Sequence, residues 1–178
     1  MAGPMANGSA SRRRQRGLGY LVLLFWLALG ACVLAGEGVL WSMQRQRDRE
    51  EELLFVGDQM RRAIASYYET SPGPVKRYPD SLQALLDDRR QLSARRHLRR
   101  VYADPMTGRP QWGLVIAPDG GVMGVYSTSG ATPLKRAGFA ERDAEFTGKA
   151  RYSEWVFLYR GELVRQVPPT MLRYVDPS

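Results

Sequence analysis

From Leu18 to Trp41 the chain is apolar except for one ionisable residue, Glu37. At about 1.5 Å per helical residue this run is long enough for the roughly 30 Å hydrocarbon layer of a bilayer. It predicts a transmembrane helix. The helical character continues past it, because residues 42–70 contain no proline and only one glycine, Gly57. Leu53, Val56, Met60, Ile64 and Tyr67 recur every three or four positions, with Asp58, Arg61 and Arg62 between them, which marks an amphipathic helix with one buried face. The pattern therefore predicts one helix over 18–70, about 80 Å long, with one half in lipid and the other lying on a domain.

Ser71-Pro72-Gly73-Pro74 cannot continue a helix and ends it. Pro79-Asp80-Ser81 offers a cap ahead of Leu82, Leu85 and Leu86, which predicts a short second helix. After that the period changes. Residues 111–117 and 122–127 flank Pro118-Asp119-Gly120-Gly121 and read as strand, turn and strand; Tyr152 to Tyr159 reads as a later strand. The expected fold is α+β, a long N-terminal helix, half transmembrane and half amphipathic, packed on a small antiparallel sheet. The expected divisions are a basic leader over 1–17, a transmembrane helix over 18–41, and an extracytoplasmic domain over 42–178 that includes the end of the helix.

Charge refines this picture. The 178 residues carry 26 Lys+Arg against 18 Asp+Glu, a formal net charge of +8. Arg12, Arg13, Arg14 and Arg16 all precede the apolar run, with no acid among them, so the high pI is partly a property of the leader. Their position places the N-terminus in the cytoplasm by the positive-inside bias. The rest of the chain lacks the basic, aromatic-interleaved stripe expected of a nucleic-acid binder. The single cysteine, Cys32, excludes an intrachain disulfide.

A leader ending in glycine, an apolar helix directly after it, an amphipathic extension and a small sheet resemble the type IV pilin and type II secretion pseudopilin family. Arg16-Gly17-Leu18-Gly19-Tyr20-Leu21 carries the junction. Tyr78-Pro79, Leu82, Leu85, Asp104-Pro105, Gly108, Trp112 and the 111–127 hairpin are similar in order to the major, G-type pseudopilins of the general secretion pathway. The resemblance implies cleavage between Gly17 and Leu18 by a prepilin peptidase, methylation of the new N-terminus, and residence in the bacterial inner membrane as a single-pass protein with a periplasmic domain. It also implies a structural role in protein transport or pilus assembly, with other pilin or pseudopilin subunits and an inner-membrane platform as partners. No cofactor is implied.

Two departures from that family shape the expectation. Its members usually begin with phenylalanine after the cut and carry glutamate fifth, where this chain has Leu18 and Val22. That glutamate is thought to neutralise a neighbour's N-terminal amine in the apolar filament core, where an unpaired charge is costly. Val22 therefore points to a minor subunit. The major pseudopilins also bind calcium in an acidic loop after the hairpin, but no acid lies between Asp119 and Glu141 here. Since calcium takes several oxygen ligands, usually including carboxylates, no metal site is expected in that loop.

Other residues admit two readings. Glu37, between Gly36 and Gly38, either pairs with a neighbouring subunit during assembly or reaches water from the headgroup boundary. Leu29-Gly30-Ala31-Cys32 approximates a lipobox, and the alternative to a filament subunit is a single-pass or lipid-anchored periplasmic binding module unrelated to filaments. The continuing apolar run instead treats Cys32 as a packed residue. Arg95, Arg96, Arg99 and Arg100, with Arg89, Arg90 and His97, form the densest basic run, either a surface for an acidic partner, anionic lipid headgroups or even DNA, or a solvated helix and loop. His97, the only histidine, has no nucleophile motif around it; Ser93 is near but lacks an elbow context. Asp80, Asp104 and Asp119 adjoin Pro, Ser or Gly in ways that suit turns and caps. No catalytic residue is expected.

Overall fold

A computed structural model describes residues 3, 15–91, 93–161 and 172–176, with side chains left undescribed at 15–18 and 32–40. The chain divides into two compact units, Met1–Arg45 and Gln46–Ser178. Helix α1 spans Gln15–Glu69. In the first unit its described side chains from Tyr20 to Leu29 are exposed and apolar. Among the described residues no helix is long and apolar enough to cross a membrane. Cys32 and Glu37 fall in the undescribed part of the apolar run.

The second unit is α+β. Strands β1 (Gly113–Ile116), β2 (Val122–Tyr126), β3 (Val156–Leu158) and β4 (Arg173–Val175) form one antiparallel sheet in the order β3-β2-β1-β4. The β1–β2 hairpin closes through Gly120, whose φ of +87° suits a residue without Cβ, and Asp119 accepts from Gly121 N–H. A bulge between Val115 and Ile116 shifts the register, so that Val115 faces Gly124 and Ile116 faces Val122. β2 is buried along its whole length, and β4 is exposed.

The buried stripe of α1, Leu53, Val56, Met60, Ala63, Ile64 and Tyr67, joins Val115, Met123, Val125 and Phe157 in one core. Gly57 explains how helix and sheet approach. A Cβ there would lie 2.5 Å from the Phe157 ring, so only glycine admits that ring against the helix backbone. Phe157 in turn meets Phe146 edge-on, and Phe146 stacks on Trp155 at 5.6 Å. The aromatic wall gives the thin sheet a core deep enough to hold the helix.

Two predicted elements differ from expectation. The helix expected after Ser81 is a single 3-10 turn, Leu82–Leu85. The Leu85 carbonyl accepts from His97 N–H and Leu98 N–H, so it cannot continue a helical ladder. Of the strand expected over 152–159, Tyr152–Glu154 is also a 3-10 turn and only Val156–Leu158 pairs. Tyr152 N–H and Ser153 N–H donate instead to Ala131 and Ser129 carbonyls of the long loop after β2.

Candidate functional site

The basic run lies on a loop fixed to the end of α1. Asp88 and Arg95 exchange both backbone hydrogen bonds, at 2.8 and 2.9 Å, and Leu98 is buried in the core. Arg95, Arg96, Arg99 and Arg100 point outward and are exposed. This is no helix, since its inward residues, His97 and Leu98, are neighbours.

Beneath the loop is a buried polar cluster. Asp88 accepts from Arg90 through both carboxylate oxygens, at 2.8 Å each. The Arg90 guanidinium holds the Asp88 carboxyl well below the usual carboxylate range, against the opposing effect of burial. Arg90 also donates to the Tyr67 carbonyl and to Ser71 Oγ, and its guanidinium lies 3.5 Å over the Tyr67 ring. Gln91 donates to the Thr70 carbonyl, and Lys76 to that of Glu69. The last turn of α1 contains no basic residue of its own, so these side chains from the following loops satisfy its carbonyls and complement its dipole.

His97 completes the cluster. Its Nε2 is 3.2 Å from Asp88 and its Nδ1 is 2.8 Å from Ser66 Oγ. The Asp88 carboxylate favours a proton on Nε2, which leaves Nδ1 to accept from the Ser66 hydroxyl. The partner is Ser66, not Ser93, and the three residue types are those of a hydrolytic triad. Ser66, however, sits within α1, where the surrounding N–H groups are committed to the helix and provide no oxyanion cradle. What the relay does is tie the 88–97 loop to the helix.

Between that loop and α1 lies an open groove of about 810 Å³, lined by Phe55, Gln59, Arg96, His97, Arg99 and Tyr102. Phe55 is 60% exposed although it belongs to the domain half of the helix. Arg100 stacks over Tyr102 at 5.0 Å. Among the described residues, none of Arg95, Arg96, Arg99 and Arg100 has a carboxylate partner, whereas Arg61, Arg62, Arg89, Arg90 and Arg142 all do. Four arginines without a carboxylate partner thus lie together on one edge whose backbone is held by the fold.

A second feature fixes the loop after β2, where the sequence has no acid. Glu50, from α1, is buried and accepts from Leu134 N–H at 2.6 Å, from Lys135 N–H and from Tyr152 Oη at 2.7 Å. Gln46, one turn earlier, donates to Tyr152 Oη and the Thr132 carbonyl. A protein carboxylate thus gathers this loop through its N–H groups. Among the described residues no group of three His, Cys, Asp or Glu side chains could hold a metal ion. Asp104, fully buried, accepts from Met106 N–H, Thr107 and Ser127, which is turn duty.

Sequence reasoning could not have found Glu50 or Ser66, because each acquires its role from a partner distant in the chain, and Asp88 stood unremarked although its partner Arg90 is two residues away. Gly17 and Leu18 lie in the helical backbone of the first unit, and Val22 is an exposed residue there. The Glu37 side chain lies outside the described residues. In the second unit Arg95, Arg96, Arg99 and Arg100 share a surface. Comparison with protein-family models, with curated proteins and with solved structures finds no match.

Proposed function

We propose that this chain is a pseudopilin-like structural subunit, present in few copies in a type II secretion or type IV pilus-like assembly of the inner membrane. On this reading residues 1–17 are a leader removed by a prepilin peptidase, the apolar half of α1 resides in the membrane, and the domain is periplasmic. The observation that carries the reading is the combination in one chain of a basic N-terminal segment, an apolar helical stretch whose described side chains find no cover, and an amphipathic helix packed on a small antiparallel sheet. A row of large apolar side chains in water would be a strong liability, and lipid or the helices of other subunits remove it.

Low copy number follows from Val22. A repeated shaft subunit without the carboxylate would bury many uncompensated amines, whereas a subunit at the end of a filament needs no such pairing. The test is quantitative proteomics on sheared filaments or purified assemblies from the native cell. The chain is expected in a small ratio to glutamate-bearing subunits. A ratio equal to that of the main subunit would refute the minor role, and absence from every such assembly would refute the reading as a whole.

A further inference from the structure

We infer that the groove between α1 and the 95–102 loop is a docking site for an acidic, hydrophobe-bearing segment of a different protein chain. Four features of the groove support this. First, Arg96 and Arg99 flank it, with Arg95 and Arg100 beside them, and none is neutralised within the domain. Guanidinium groups bind carboxylates in pairs of parallel hydrogen bonds, and their weak hydration makes their transfer into an interface less costly than that of lysine. Second, the arginines are held on a backbone that the fold has already ordered. The Asp88–Arg95 bridge, the two N–H donations to Leu85, buried Leu98 and the His97–Asp88–Ser66 relay all fix it, so little backbone entropy remains to be lost on binding. A merely solvated charge run would need no such scaffold.

Third, Phe55 is an uncovered aromatic next to the charges, the combination that anchors an interface at its centre. Fourth, charge indicates whose segment it is. Without Arg12, Arg13, Arg14 and Arg16 the chain still carries 22 Lys+Arg against 18 Asp+Glu, and its exposed Glu51 and Glu52 stand beside exposed Arg47 and Arg49. A second copy is itself net basic and is repelled from this edge, whereas a distinct acidic chain is attracted to it. The patch is also short for a nucleic acid, which needs a basic track with several free aromatic faces. Tyr102 already lies under Arg100.

The inference does not depend on leader processing, and its test leaves processing untouched. Full-length protein in neutral detergent is titrated into a fluorescent peptide of glutamates around a central phenylalanine, and fluorescence anisotropy is read at low and moderate salt. The expected result is saturable, salt-weakened binding that is lost when glutamine replaces the glutamates. It should fall at least about tenfold in Arg96→Glu/Arg99→Glu and several-fold in Phe55→Ser, with thermal melting unchanged because these side chains are exposed. Arg96→Lys/Arg99→Lys should bind less tightly than the parent but more tightly than the glutamate pair. A thymidine oligonucleotide and phosphatidylglycerol vesicles serve as competing probes. If either binds more tightly than the peptide with the same arginine dependence, the site recognises phosphate and the inference is overturned. It is equally overturned if the peptide fails to bind, or binds regardless of Arg96 and Arg99.

Discussion

Glu50 offers the sharpest test of how the domain is built. Its carboxylate is buried and takes up three donors from the far side of the chain: Leu134 N–H, Lys135 N–H and the Tyr152 hydroxyl. Hydrogen bonds to a charged group contribute about 1.5–3 kcal/mol each, and a buried donor stranded without an acceptor costs about 1–3 kcal/mol. Glu50→Ala strands up to three donors, though the loop can open and let water reach some of them. The net loss should then be about 3–5 kcal/mol, at the upper end for a single substitution. Glu50→Gln keeps one acceptor but turns an amide toward Lys135 N–H, and should cost about 2 kcal/mol.

The assay is denaturant unfolding of the full-length protein in detergent, followed by Trp155 and the other tryptophans. Amide hydrogen exchange at Leu134 and Lys135 should be read alongside, because local opening precedes global unfolding. Both substitutions should accelerate exchange there, with Ala ahead of Gln. A loss below about 0.5 kcal/mol for Glu50→Ala, with the two amides still protected, would show that the loop is held by something other than this carboxylate.

Gly57→Ala gains about 1 kcal/mol of helix propensity but drives a methyl into the Phe157 ring, an overpacking cost of about 1–3 kcal/mol; a net loss in unfolding free energy is expected, partly recovered by Phe157→Leu. Asp88→Asn removes the carboxylate that Arg90 and His97 share, and a melting scan should show a loss of about 2–4 kcal/mol. Because Asp88 is held below its ordinary value of 3.8, its contribution is present above that value and is lost as the pH falls below it, so the parent should weaken in acid more steeply than Asp88→Asn. Burial, with the bond to Glu50 adding to it, pushes Tyr152 up to about 12 from 10.0. Its neutral form is thus favoured in the folded state, and stability present below 10.0 declines as the pH rises toward about 12. Tyr152→Phe should flatten that alkaline decline in a pH series of unfolding curves.

Legibility followed the range of the interactions. The amphipathic half of α1 was readable because Leu53, Val56, Met60, Ile64 and Tyr67 repeat with the helix, and the β1–β2 hairpin because its turn residues are local. The 3-10 turn at Leu82–Leu85 was not, since the Leu85 carbonyl is claimed by His97 and Leu98, twelve and more residues away. Strand β4 gave no alternating pattern because all three of its residues are exposed. Of the candidate site, the arginines were visible as composition. What makes them a surface is the Asp88–Arg90–His97–Ser66 cluster beneath, whose link to the helix joins His97 to Ser66, residues that no local spacing connects.

The mature N-terminus decides whether this chain is, as proposed, a pilin-like subunit with a cleavable leader. The full-length chain is coexpressed with a prepilin peptidase, recovered from membranes, and its N-terminal peptide is sequenced by mass spectrometry. The expected result is loss of residues 1–17 and a chain that begins at Leu18 with a methylated amine. A chain that keeps its leader under conditions where a control prepilin is cut, or one that begins at a lipidated Cys32, would contradict it.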